Sequence, residues 1–370
     1  MLKDFKKIGR QVLFLETSPE NCRNGEGSFI RLKDGGILFG YTEFLAGTGR
    51  DHDVSRISGL ISYDEGETWG EKRILAERHP GTQNIMNVSF FRRKDGSLGM
   101  IHGEKTMHAN GIVTNRRYCK ISYDEGTTWE KDVICYDQEG YSCLNNDRIL
   151  RLASGRLMLP IAHHLDGGYD TAKKDDIPGV LVFSVSDDDG LTWRTLKHRI
   201  RSPFDDSTQF QEPGVYQHED GSLWLWCRTK YGSQFMAYSK DEGETWSQPQ
   251  PSAFFTSPRS PMSLKRLGKY TVAVFNPVPT FNGRTPKAPN GRSPLFCAVS
   301  TDDGVSHDAQ SFDKMFYLED DLNESYCYTA LFAGEDYFLA AYYHSNGAGR
   351  CLNCTKIVKV SFDELKGEIV

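Results

Sequence analysis

Nowhere does this sequence contain the roughly 18 consecutive apolar residues that a membrane-crossing helix needs, so no such helix is expected. Its opening, Met1-Leu2-Lys3-Asp4-Phe5-Lys6-Lys7, lacks the apolar core and small-residue cleavage site of a secretory leader, and a cytoplasmic location is expected. The nine cysteines are odd in number and follow no framework spacing, which reads as reduced thiols and not as a disulfide scaffold. Cys351-x-x-Cys354 has no second pair at zinc spacing, so no metal is expected. Basic residues are not in excess: 44 Lys and Arg face 50 Asp and Glu, a net charge of −6. Together with the absence of a phosphate loop, a dinucleotide fingerprint or a basic aromatic stripe, this argues against nucleic-acid partners and organic cofactors. Helical periodicity is scarce as well.

What is abundant is glycine (35 residues) and aromatics (21 Phe, 17 Tyr, 6 Trp). Much of both belongs to a repeat. Ser62-Tyr-Asp64-Glu-Gly66-Glu-Thr68-Trp69 returns as Ser122…Trp129, Ser186…Trp193 and Ser239…Trp246, with a decayed fifth copy at Ser300-Thr-Asp302-Asp-Gly304-Val-Ser306-His307. The octet suits a hairpin loop. Asp can accept hydrogen bonds from nearby backbone amides, Gly supplies a positive φ, and Trp can bury its ring beneath the turn. A calcium loop is the weaker reading, because no bidentate Glu stands at its twelfth position.

The copies start 53 to 64 residues apart, so 370 residues hold about six units. A second punctuation agrees: Asp34-Gly35, Asp95-Gly96, Ser154-Gly155, Asp220-Gly221, Gly268-Lys269 and Gly334-Glu335-Asp336 each precede an apolar run. Length alone would suggest two domains. The period instead gives one all-β domain over residues 1–370, a six-bladed β-propeller of about four strands per blade. Its ring must close between the chain ends. The alternating segment Val358–Phe362 and the segment Gln11–Glu16 are the candidates to complete a blade begun at the opposite terminus.

The octet is the Asp-box, and from about Arg23 to Tyr343 the chain resembles the sialidase (neuraminidase) superfamily, as a BNR-repeat protein of the bacterial sialidase-like type. In that family the boxes lie on the face away from the active site, and three arginines from different blades hold the substrate carboxylate. Guanidinium groups suit this task because they present fixed donor forks to carboxylate oxygens. The stretch Gln211-Glu212-Pro213 through Trp226-Cys-Arg228 resembles the segment with the family's Glu and second arginine. Phe275-Asn276-Pro277 with Gly291-Arg292-Ser-Pro resembles the third-arginine segment. At the first arginine the chain departs from the pattern. Arg23-Asn-Gly-Glu26-Gly-Ser-Phe-Ile30 stands where Arg-Ile-Pro is usual, with Glu26 and Arg31 as further candidate contacts.

The resemblance implies an exo-acting, retaining glycoside hydrolase releasing a terminal sialic acid or a related acidic sugar. Sialidases use a tyrosine nucleophile, and Tyr328-Thr-Ala-Leu331 resembles the family's Tyr-Ser-x-Leu. Tyr328 is therefore the expected nucleophile and Glu212 its base. Tyr326, two residues earlier on a strand and so on the same face, is the alternative. Asp51, eleven residues before the first Asp-box, is the expected acid/base, with Asp53 as alternative. Asp147 and His163 are expected near the pocket as substrate contacts. A different acidic glycan, such as a uronate or 2-keto acid, and a carbohydrate-binding propeller without catalysis remain open.

Overall fold

The computed structural model describes residues 4–165, 167–171, 179–204, 210–278, 287, 291–301, 312, 314–346 and 352–366. Among these residues, six antiparallel sheets follow one another along the chain as the blades of a β-propeller. Blade one runs from Arg23 to Ala76, blade two from Asn84 to Tyr136 and blade three from Tyr141 to Thr195. Blade four spans Gln211–Thr256 and blade five Ser263–Glu319. Blade six takes Tyr326–Ser361 and is completed by the N-terminal strand Arg10–Leu15, which pairs with Cys354–Ser361 as the outer edge. Both closure candidates thus meet in one blade. The segment ending at Ser361 is an inner strand, paired on both sides, and the edge belongs to Arg10–Leu15.

Each sheet is covered on both faces, so its middle strands read as continuous apolar runs and not as alternating ones. All eight residues of Ile37–Phe44 are buried, as are all six of Leu295–Ser300. Six buried apolar clusters fill the gaps between neighbouring blades, one to a gap. Val272, Cys297, Phe338 and Val358, for example, lock blade five to blade six. Among the described residues, no helix is long and apolar enough to cross a membrane, and no group of three His, Cys, Asp or Glu could hold a metal ion. Cys351 lies outside the described residues.

The four full Asp-boxes join the third and fourth strands of blades one to four and share one hydrogen-bond pattern. Each Asp accepts from the Ser hydroxyl (2.8 Å) and from the Thr amide (2.8–2.9 Å) and hydroxyl (2.5–2.6 Å). The Ser hydroxyl in turn accepts from the Gly amide. Positive φ falls on two residues and not on Gly alone: Glu65, Glu125, Asp189 and Glu242 take φ of 54–64° just before it. The Trp rings are less buried than the turn chemistry suggests, with only Trp246 of the four buried. Of the decayed fifth box, 300–307, residues 302–307 lie outside the described residues.

Candidate functional site

The first strand of each blade lines the centre of the ring, and four of these strands are bulged. The register slips between Gly25 and Ser28, Met86 and Ser89, Gln211 and Gly214, and Cys327 and Ala330. Each bulge holds a non-glycine residue in the left-handed region: Glu26 (φ 55°), Asn87 (66°), Glu212 (48°) and Tyr328 (60°). Such backbone costs of order 1 kcal/mol per residue and is found where a side chain must be re-aimed. Here it turns Glu212 of blade four and Tyr328 of blade six toward each other.

Tyr328 Oη donates to Glu212 Oε1 at 2.5 Å. Glu212 Oε2 accepts from Arg228 Nη1 at 2.7 Å, and the same Arg228 nitrogen lies 3.3 Å from Tyr328 Oη. Arg228 ends the second strand of blade four, opposite Gln211, so the hairpin register itself sets it beside Glu212. The Arg292 guanidinium sits 5.5 Å from the centre of the Tyr328 ring. Its loop is fixed by Asn276 Nδ2, which donates to the Pro294 carbonyl, and by the Tyr326 amide, which donates to the Arg292 carbonyl. Burial works against ionisation of Glu212, but Arg228, the Tyr328 hydrogen bond and Arg292 outweigh it and hold the carboxyl below its usual range. Burial and then Glu212 push the Tyr328 phenol well up, so it rests protonated as the donor in this pair.

Arg23 forms the second half of the site. It is 1% exposed and its guanidinium is enclosed by acceptors. Nη1 donates to Asp51 Oδ1 (2.5 Å) and the Gly49 carbonyl (3.3 Å), Nη2 to Glu26 Oε1 (2.7 Å), and Nε to Tyr343 Oη (2.8 Å). The Phe44 and Tyr343 rings flank it at 4.5 and 5.0 Å. A Cβ on Gly25 would lie 2.1 Å from the Tyr343 ring, so only glycine lets that ring reach Arg23. The Asp51 carbonyl accepts from Asn84 Nδ2 (2.7 Å) and Lys105 Nζ (2.9 Å), which fixes the loop. Desolvation would raise the Asp51 carboxyl, but the charges of Arg23 and Lys105 prevail and hold it well below the usual carboxylate range. Glu26 goes the other way. Burial pushes it up to about 7 against the pull of Arg23, with Asp51 and Glu212 adding to the rise, while its Oε2 accepts from Asn87 Nδ2.

The structure therefore brings Tyr328, Glu212, Arg228 and Arg292 together, and Asp51 with Arg23. Other expected positions move. Tyr326 does not share the face of Tyr328, because Tyr328 itself sits in the bulge and is turned out of the alternation; Tyr326 is 1% exposed in the core against Tyr342 and His344. Asp53 caps its own loop, accepting from the Thr48 amide and hydroxyl and the Arg50 amide. Asp147 is a clamp between blades: it accepts from Ser28 Oγ and the Leu331 amide and pairs with Lys265 at 2.6 Å. His163 is buried with Nδ1 2.9 Å from Tyr136 Oη. Arg31 lies at the far end of its strand, on Glu65 of the first Asp-box. Asn87, Lys105 and Tyr343 escaped the sequence reading. One signal could have found Asn87: Glu26, Asn87 and Glu212 each stand nine residues before the glycine of their blade's first turn.

No curated protein sequence matches the chain. Among solved structures, a protein of unknown function from Dyadobacter fermentans is similar at TM-score 0.70 and 17% identity, over 95% of this chain and 99% of that one. The NanB sialidase of Streptococcus pneumoniae, as its K499G mutant, is similar at TM-score 0.71 and 14% identity, over 97% and 71%. The intramolecular trans-sialidase of Ruminococcus gnavus, in complex with oseltamivir carboxylate, reaches TM-score 0.72 at 14% identity, over 97% and 98%. These likenesses concern the fold. The family described as a BNR repeat-like domain matches residues 42–344, and the chain belongs to it, with a fold similar to that of sialidases.

Proposed function

We propose that the protein is a retaining glycoside hydrolase of sialidase type, acting on a terminal acidic sugar. The observation that carries this reading is the 2.5 Å hydrogen bond from Tyr328 to the buried Glu212, with Arg228 and Arg292 beside it. A carboxylate nucleophile would be repelled by a substrate carboxylate near the anomeric carbon, whereas a neutral phenol is not. As Tyr328 attacks, its proton passes to Glu212, and Arg228, 3.3 Å away, stabilises the phenolate character that develops. Asp51 serves as acid to the leaving oxygen and then as base to water. At rest it is held ionised by Arg23. If Arg23 turns from Asp51 to the substrate's carboxylate, the larger of the two charges that hold Asp51 low is withdrawn, which favours uptake of the proton Asp51 must deliver.

A uronate, or a 2-keto acid other than a conventional sialic acid, is the alternative substrate, and its carboxylate would meet the same arginine. Arg23 already meets Glu26, Asp51 and Tyr343, so a substrate carboxylate must displace one of them. Release of the free sugar from fluorogenic sialosides, uronides and 2-keto-acid glycosides tests both readings. Turnover of any of them that is lost in Tyr328→Phe supports the mechanism. Binding without product in every case would make the protein a carbohydrate-binding propeller.

A further inference from the structure

We propose that an aromatic wall beside Asp51, formed by His52, Tyr169 and Tyr141, binds a neutral pyranose ring on the leaving-group side of the pocket. This rests on Asp51 as proton donor, which puts the departing group on the side of the Asp51 loop.

The wall is assembled from three parts of the chain. Tyr169 belongs to blade three by sequence, but its short strand Tyr169–Asp170 pairs with Ile112–Ser122 of blade two, Tyr169 opposite Val113. That crossing carries its ring to the Asp51 loop. The ring centre lies 6.1 Å from His52 and 5.3 Å from Tyr141, and Tyr141 continues to His164 at 6.0 Å. The crossing is closely packed. A Cβ on Gly168, whose φ is +85°, would stand 2.7 Å from Ile112 and 2.8 Å from the Val113 carbonyl. The position of Tyr169 is therefore set by the backbone before it.

His52, Tyr141 and Tyr169 are each mostly buried and keep a minor part of the residue open to solvent. The rings are mutually tilted by 31–45°, which makes a curved surface and not a closed stack. The wall is also uncharged near neutrality, since burial and the neighbouring Lys105 push His52 down to about 4, although Asp51 and Asp53 act the other way. The Lys105 ammonium is directed at the Asp51 carbonyl. An uncharged aromatic surface with phenol hydroxyls suits a ring with an apolar C–H face and hydroxyl edges. It offers no paired cation to an anionic one.

The test uses lactose as probe and saturation-transfer NMR on the full chain. We expect transfer to lactose with the wild type and with Tyr169→Phe, and at least tenfold weaker binding with Tyr169→Ala and with Tyr169→Leu, which keeps bulk without the ring. Thermal melts check that each variant is folded. Absent binding to the wild type, or equal binding by folded Tyr169→Leu, overturns the proposal. Kinetics add a second arm. For the acidic sugar that is turned over, Tyr169→Leu should lower kcat/KM about tenfold on a disaccharide and leave the glycosyl fluoride, which has no leaving-group ring, unchanged. Equal losses on both substrates contradict the assignment. If lactose binding depends on Tyr169 but no glycoside is cleaved, the wall stands and the catalytic reading falls.

Discussion

Tyr328 and Glu212 are 116 residues apart in sequence, yet the phenol of one donates to the carboxylate of the other at 2.5 Å across the centre of the ring. Both sit in bulges with left-handed backbone, at φ of 60° and 48°. The strain is local and the contact long-range, so the propeller holds the pair together from blades four and six, with blade five between them.

Removing Glu212 should be costly for the fold as well as for turnover. Glu212 and Arg228 are both 11% exposed at their side chains and paired at 2.7 Å. Breaking a buried pair by deleting one partner leaves an uncompensated charge and typically costs about 3–5 kcal/mol. Glu212→Ala should lose stability on that scale in urea unfolding. The double variant Glu212→Leu/Arg228→Met should recover most of it while remaining inactive.

Asp51 makes a contrasting case. Its side chain is 55% exposed, although its pairing with Arg23 holds the carboxyl low. Solvent screening limits what such a pair adds to stability. Asp51→Asn should therefore melt close to the wild type and lose at least a hundredfold in kcat, which steady-state kinetics beside a thermal melt will show.

Glu26 gives a pH dependence with a definite sign. Its ordinary value is 4.5 and the folded protein raises it to about 7. Between these values Glu26 binds more protons in the folded state than in the unfolded one, so its contribution to stability falls as pH rises from about 4.5 to 7. The loss is on the order of 3 kcal/mol. His52 and His102, both held below their ordinary value, act with the opposite sign in wild type and variant alike, so Glu26→Gln, which cannot titrate, should gain stability relative to the wild type as pH rises across that window. Asp51 does not interfere, because its depressed value puts its own transition below pH 4. Equal slopes for wild type and variant would remove Glu26 as the titrating group.

The Asp-boxes should matter for stability alone. Asp188 accepts from Ser186 Oγ and from the Thr192 amide and hydroxyl, on the turn joining the third and fourth strands of its blade. Asp188→Ala should cost about 1–2 kcal/mol, as loss of a capping carboxylate does, and leave kcat per folded molecule unchanged.

Much of this architecture was legible because turn chemistry is local. Asp64, Gly66 and Thr68 fold their octet within eight residues, and Gly35 or Gly96 marks a hairpin by its own φ. The octet spacing then counts the blades. Within the site, Glu212, Arg228, Arg292, Tyr328 and Asp51 could be placed by resemblance, and the structure brings them into two adjoining groups. Tyr326 shows where such reading stops. Period-two alternation put it on the face of Tyr328, but Tyr328 sits in the bulge and is turned out of the alternation, while Tyr326 lies in the core. Asp147 and His163 look like pocket residues in isolation, and their partners Lys265, Ser28 and Tyr136 come from other strands. The enclosure of Arg23 by Glu26 and Tyr343 was equally hidden, because it depends on a glycine at 25 that admits a ring from position 343.

In the proposed mechanism Tyr328, activated by Glu212, becomes covalently bonded to the sugar. The most direct measurement is intact-protein mass spectrometry after reaction with activated fluoro-sugars of the sialic and uronic acid classes, followed by peptide mapping. We expect one glycosyl adduct on the peptide containing Tyr328, slowed in Glu212→Gln and absent in Tyr328→Phe. An adduct on another residue, or one that forms equally in Tyr328→Phe, would contradict the account.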